Sequence, residues 1–324
     1  MSIRPKVIPV LLCAATALLS PTTQAAESYP SRTVRVIVPS SPGGSVDALG
    51  RMVSQKLSSA LGQQFVVENR AGSGGVVGTE IVAKAAPDGY TLLMAYHSHI
   101  INPALYKKLP FDTLKDFTPI TQVAMQPLLF NVHPSLPANN PRELINLAKA
   151  RPGQILYGSA GSGSGGHLAT AMLASMAGVK MTHVPYKGAS PALIDVIAGN
   201  TQLMVATFIA SMPHISSKRL KGIAVTSAKR SPVLPQVPAV SEAIPGYEAL
   251  VSYFFLAPAG IPNDILQKLS AESIKALKAP DTVERLAAAS AEPVASTPAE
   301  TATVISSEMV KWGKIVQESG AKAN

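Results

Sequence analysis

Ile155-Leu156-Tyr157-Gly158-Ser159-Ala160-Gly161-Ser162-Gly163-Ser164-Gly165-Gly166-His167-Leu168 is the stretch on which the reading of this chain turns. A short apolar run ends in a loop of little but glycine and serine. A segment with helical spacing of Leu168, Ala171, Met172, Ser175 and Met176 begins at once, with Gly178 as its stop. The order is strand, loop, helix. Such a loop carries little side-chain bulk, so its backbone can approach a ligand closely, and the helix behind it offers unpaired N–H groups. That combination suits an anion. The alternative for a Gly/Ser composition is a flexible surface linker.

Gly161-x-Gly163-x-x-Gly166 also fits the dinucleotide fingerprint, in the right place between strand and helix. That motif wants an acidic residue about 20 positions on, for the ribose hydroxyls. Between His167 and Ile194 there is no Asp or Glu, the first being Asp195. A low-complexity loop meets the pattern by chance, and no nucleotide cofactor is expected.

Toward the N-terminus the layout repeats. Val34 to Val38 reads as a strand, Pro39-Ser40-Ser41-Pro42-Gly43-Gly44 as a loop, and Ser45 as the N-cap of a helix. That helix carries Val46, Leu49, Val53, Leu57 and Leu61 on one face and stops at Gly62. Two such units, one in each half, predict two facing lobes. Between them come a strand over 64–68, the loop Asn69-Arg70-Ala71-Gly72-Ser73-Gly74-Gly75 with its own helix, and a strand over 91–95. Extended segments over 119–124 and 127–132, each entered at a proline, look like a crossing between lobes. Alternating strands and helices imply an α/β fold with largely parallel sheets and a ligand beyond the strands' carboxyl ends.

Composition narrows the function. Arg4 and Lys6, the apolar run from Val7 to Leu19 and Thr23-Gln24-Ala25 make residues 1–25 a secretory signal peptide, cleaved near Ala25/Ala26. Its removal takes away Cys13, the only cysteine, so no thiol, disulfide or cysteine metal site is expected in the exported chain. Without Arg4 and Lys6, 26 basic residues stand against 19 acidic ones. They are scattered rather than striped among aromatics, which argues against nucleic acid and favours encounter with small anions. His97-x-His99 lacks a cysteine or carboxylate neighbour for zinc. No Gly-x-Ser-x-Gly elbow is present, and neither Asp47 nor Asp195 has an evident catalytic partner; each suits a helix start or a loop tether.

Eight motifs in order carry a resemblance that spans nearly the whole mature chain. They are Pro42-Gly43-Gly44-Ser45-Val46-Asp47, the loop 69–75, residues 102–112 (NPALYKKLPFD) and residues 116–120 (DFTPI). Residues 157–164 (YGSAGSGS), 183–188 (HVPYKG), 226–232 (TSAKRSP) and 256–262 (LAPAGIP) complete them. Together they make the chain similar to the Bug receptors, the periplasmic solute-binding proteins of tripartite tricarboxylate transport systems. The resemblance implies a two-lobed, type II-like Venus flytrap with a ligand cleft between lobes, lobe 1 being 26–125 plus 249–324 and lobe 2 being 126–248. It implies a monomer that captures a small mono- or dicarboxylate for membrane permease subunits, without cofactor or metal. Gly43, Gly44 and Asp47 are the implied contacts of the first lobe. Ser159, Gly161, Ser162, Ser164, His167 and Tyr186 are those of the second, with Thr207 as a further hydroxyl. A sensor subunit presenting its ligand, or a periplasmic enzyme on the same scaffold, is the alternative function.

The chain departs from the family at two places. Val205-Ala206 stands where an acid-bearing Phe-Asp is usual before Pro213-His214-Ile215, which disfavours an amino-acid ligand. Ser252 stands where a tryptophan is usual. Its absence tilts the expectation toward an aliphatic ligand, although Tyr96, Tyr186 and Tyr253 could offer stacking surface in its place.

Overall fold

A computed structural model describes residues 1, 2, 29–186 and 188–321. The expected signal peptide lies, beyond its first two residues, outside the described residues. β1 (Val34–Val38) runs parallel to β2 (Phe65–Asn69) and β3 (Thr91–Tyr96), linked through α1 (Ser45–Leu61) and α2 (Val76–Ala83). Val36, Ile37, Leu92, Leu93 and Met94 are fully buried, the near-continuous apolar run that parallel strands show when both faces are covered. α3 (Ser98–Leu105) follows β3 almost directly.

The two extended segments expected over 119–132 are a single strand, β4 (Phe117–Val132). Its first part, to Pro127, pairs antiparallel with β9 (Leu250–Pro258). Its second part, Leu128 to Val132, pairs antiparallel with β7 (Leu203–Thr207) and, over most of that length, with β8 (Lys221–Val225). The ladder shifts register beside Pro119, which has no N–H to donate. Between β4 and β8 lie α4 (Pro141–Ala150), β5 (Leu156–Ser159), α5 (Gly165–Ala177), β6 (Thr182–Pro185), α6 (Ala189–Ile197) and α7 (Phe208–Ser216). β5 is parallel to both β6 and β7. After β9 come α8 (Asn263–Leu277), α9 (Pro280–Ala288), the two-residue β10 (Glu292–Pro293) against β4, and α10 (Pro298–Ser319).

The strand order is β2-β1-β3-β9-β4-β7-β5-β6. Each half thus holds three parallel strands, while β4 and β9, which carry the chain across in opposite directions, are antiparallel. The sheet is mixed rather than largely parallel for that reason. This is the α/β two-lobed architecture that the sequence predicts. α10 packs on α3, β4 and α5 and so touches both halves; its Trp312 is buried and donates to Glu308 Oε2 at 2.7 Å. No helix among the described residues is long and apolar enough to cross a membrane.

One local expectation changes. Ser45 is the first residue of α1, not its cap; Gly44 holds the N-cap position, and the Gly43 N–H is taken by the Asp47 carboxylate at 3.0 Å. His97 and His99 stand at the start of α3. They pack on different aromatic rings, His97 edge-on to Trp312 at 4.5 Å and His99 edge-on to Phe117 at 4.9 Å. Pro213 lies inside α7.

Candidate functional site

A cavity of about 720 Å³ lies where the two halves face each other. One wall is the loop 160–164 with the first turn of α5. The other is the loop 71–75, backed by Ser98, Asn102 and Tyr106 of the α3 region. Leu128 of β4 and Val251 and Tyr253 of β9 line it between these walls, and the end of β7 closes it with Val205, Ala206 and Thr207.

Glycine is required in the second-half wall for two separate reasons. Gly161 and Gly163 have φ of +128° and +76°, a region costly for residues with a Cβ. Gly166 packs so tightly on β7 that a Cβ would meet the Val205 carbonyl oxygen at 2.0 Å. Ser164 accepts the His167 N–H at 3.4 Å and caps α5, leaving first-turn N–H groups directed at the cavity end. The first-half wall is bent as sharply: Gly72, Ser73, Gly74 and Gly75 all have positive φ. Asn102 Nδ2 donates to the Gly74 carbonyl at 3.2 Å and the Tyr106 hydroxyl to the Ser73 carbonyl at 2.8 Å, so α3 holds that loop.

Of the residues expected from sequence, Gly161, Ser162, Ser164, Tyr186 and Thr207 line the cavity. Ser159 and His167 lie one layer beneath. The Gly163 N–H donates to His167 Nδ1 at 3.0 Å, and Ser159 Oγ lies 2.6 Å from His183 Nε2. The two imidazoles stack at 3.8 Å with Tyr157 against them. This is a scaffold that shapes the loop from below.

Gly43, Gly44 and Asp47 do not line the cavity. Asp47 is buried, with its oxygens taken by the Gly43 N–H, by Asn69 Nδ2 at 2.9 Å and by Arg51. Burial raises its pKa, but these hydrogen bonds and the Arg51 charge outweigh burial and hold it below the ordinary carboxylate value. Asp47→Ala removes the charged acceptor shared by the Gly43 N–H, Asn69 Nδ2 and Arg51. We expect it to cost about 1–3 kcal/mol of stability, measured by urea unfolding, with ligand affinity changed less.

Among the described residues no Lys, Arg, Asp or Glu lines the cavity. Its one titratable imidazole, His97, is 3 % exposed and has no hydrogen-bond partner on either nitrogen among the described residues. Burial, with Lys311 nearby, pushes His97 down to about 3. Burial pushes His99 and His183 to about 4, and burial together with His183 takes His167 to about 3. Unfolded histidines titrate near 6.5, so the unfolded chain binds protons that the folded one refuses. Stability is therefore full above about pH 6.5 and falls as pH drops toward 4, by up to about 2 kcal/mol per excluded imidazole at pH 5. Urea midpoints at pH 7.5 and pH 5 check this; equal midpoints would contradict it.

The two departures separate. Ala206 does line the cavity, with Thr207 beside it. Ser252 does not: Val251 and Tyr253 face the cavity, and strand alternation turns Ser252 to the other face, where it accepts from Gln122 Nε2 at 3.2 Å. The missing tryptophan thus says nothing about the ligand. The loop 71–75, Ser98, Asn102 and Tyr106 were not among the expected site residues. The signal was there for the loop, a third strand, Gly-rich loop and helix unit, but not for α3, which reaches it from a distant part of the chain.

Fold and cavity together define a two-lobed solute-binding receptor. Residues 49–321 match the family described as "Tripartite tricarboxylate transporter family receptor", and the chain belongs to that family. It is 36 % identical to Protein BugT of Bordetella pertussis, over 92 % of each chain. It is 38 % identical to a UPF0065 protein from the tcbD-tcbE intergenic region of Pseudomonas sp., over 93 % of this chain and 90 % of that one. Among solved structures it is similar to R. palustris Rpa4515 with adipate (34 % identity, TM-score 0.85, 91 % and 99 % covered). It also resembles MatC from Rhodopseudomonas palustris with bound malate (30 %, 0.80, 89 % and 100 %). The matched family is one of transporter receptors.

Proposed function

We propose that this chain captures a small mono- or dicarboxylate in the periplasm and hands it to membrane permease subunits, acting as a monomer after cleavage near Ala25/Ala26. The observation that carries the reading is a cavity walled by two glycine-rich loops and several hydroxyls, without one acidic side chain among the described residues. A carboxylate is acceptor-only, and amide N–H and hydroxyl groups are its natural partners. An ammonium would find no counter-charge there, which favours amine-free acids. The similar receptors holding adipate and malate agree with this chemistry.

In this reading Gly161, Ser162, Ser164, Thr207 and the loop 71–75 hold the ligand. Tyr186 gives it a ring surface, since its hydroxyl is bonded to Asp195. Ser159 and His167 shape the second loop, and Gly43, Gly44 and Asp47 fix the first half beside it. The lobes are 26–125 plus 249–324 and 126–248, a division supported by the change of β4 partners after Pro127. Each hydrogen bond to a charged group contributes about 1.5–3 kcal/mol, so a few, less the ordering cost, give roughly micromolar binding. Calorimetry with adipate, malate, succinate, glutamate and aspartate tests it. Micromolar binding of an amine-free acid is expected; binding of the amino acids alone would overturn the reading.

A further inference from the structure

We infer that the preferred ligand is an aromatic carboxylate, its ring seated among the side chains of Tyr96, Tyr106, Tyr186 and Tyr253. The inference rests on the carboxylate reading above and concerns the rest of the ligand. All four tyrosines line the cavity, three from the first half and crossing strand and one from the second. Three of the four hydroxyls are engaged within the protein. Tyr106 donates to the Ser73 carbonyl at 2.8 Å, Tyr253 accepts from Gln126 Nε2 at 2.6 Å, and Tyr186 donates to Asp195.

Tethering at the phenol end has two consequences. It fixes where these three rings sit, and it leaves ring carbon rather than hydroxyl as what a ligand body meets there. The wall between the polar loops is mainly aliphatic, with Leu128, Val251, Met204, Val205 and Ala206 against the polar His97 and Thr207. A ligand body that offered several hydroxyls or charges along this belt would lose more water than these few polar groups replace. An apolar body gains by burial, and a flat aromatic one gains further from offset or edge-to-face contact with the tyrosine rings. Size agrees, since about 720 Å³ is within the range of sites that take drug-sized ligands and exceeds what a four-carbon acid fills. The family departure that pointed to aliphatic acids has no bearing, because Ser252 faces away from the cavity.

The test compares acids that differ only in aromaticity, by calorimetry on the mature chain. The pairs are benzoate with cyclohexanecarboxylate, and terephthalate with trans-cyclohexane-1,4-dicarboxylate; adipate and malate are measured alongside. The aromatic member of at least one pair should bind roughly three- to tenfold tighter than its saturated partner and tighter than adipate. Tyr186→Leu and Tyr253→Leu should remove that preference, while Tyr186→Phe, which keeps the ring, should retain it. Circular dichroism of each variant establishes that it is folded. Equal or tighter binding of the saturated acids, or of adipate or malate alone, overturns the aromatic inference and leaves the carboxylate reading standing. Failure of every acid in both panels overturns both.

Discussion

A Gly166→Ala variant is expected to lose about 3 kcal/mol or more of stability, at the upper end of overpacking costs. The added methyl would stand 2.0 Å from the carbonyl oxygen of Val205. That oxygen belongs to β7, which is hydrogen-bonded to β4 over Leu203–Thr207, so it cannot swing aside as a side-chain tip could. Either α5 lifts from the sheet or β7 leaves its register. Leu168 and Leu173, now fully buried, would lose packing in the first case, and Val205 and Thr207 would leave the cavity wall in the second. Urea unfolding measures the loss and calorimetry the accompanying drop in binding. A midpoint equal to that of the parent would show that the helix and strand part without cost.

Gly163→Ala is expected to divide its effect between stability and affinity. The left-handed φ of +76° penalises a Cβ whether or not ligand is present, so that cost of about 1–2 kcal/mol falls on stability. The collision is different. A Cβ at Gly163 would lie 1.9 Å from Leu105 Cδ1, which belongs to α3 on the opposite wall. Such a clash exists only when the two halves stand this close, and it costs about 1–3 kcal/mol. Ligand affinity should therefore fall roughly five- to 150-fold. Leu105→Ala in the same chain should restore most of the affinity and none of the stability, because it removes the collision and leaves the backbone strain. Calorimetry and urea unfolding on both single variants and the double variant give the cycle. Loss of affinity that Leu105→Ala does not relieve would place the effect in the loop itself.

The sequence by itself determined the units of this protein. Each strand, Gly-rich loop and helix unit is a local matter of apolar spacing and of residues that tolerate a sharp turn. That is why β1 with α1, β5 with α5, and the αL stops at Gly62 and Gly178 all stand where the pattern places them. The resemblance, carried by eight short motifs, reached the family for the same reason. Tertiary structure alone decided which residues face the cavity. The direction of a side chain leaving a loop depends on φ at glycines that sequence leaves free, and so Ser162 and Ser164 line the site while Ser159 and His167 support it from beneath. It also decided every pairing between residues far apart in the chain. Gly166 against Val205 and Asn102 on Gly74 join distant segments within one half, while Gly163 against Leu105 and Gln126 on Tyr253 depend on the β4 and β9 crossing; no local pattern encodes either kind of meeting.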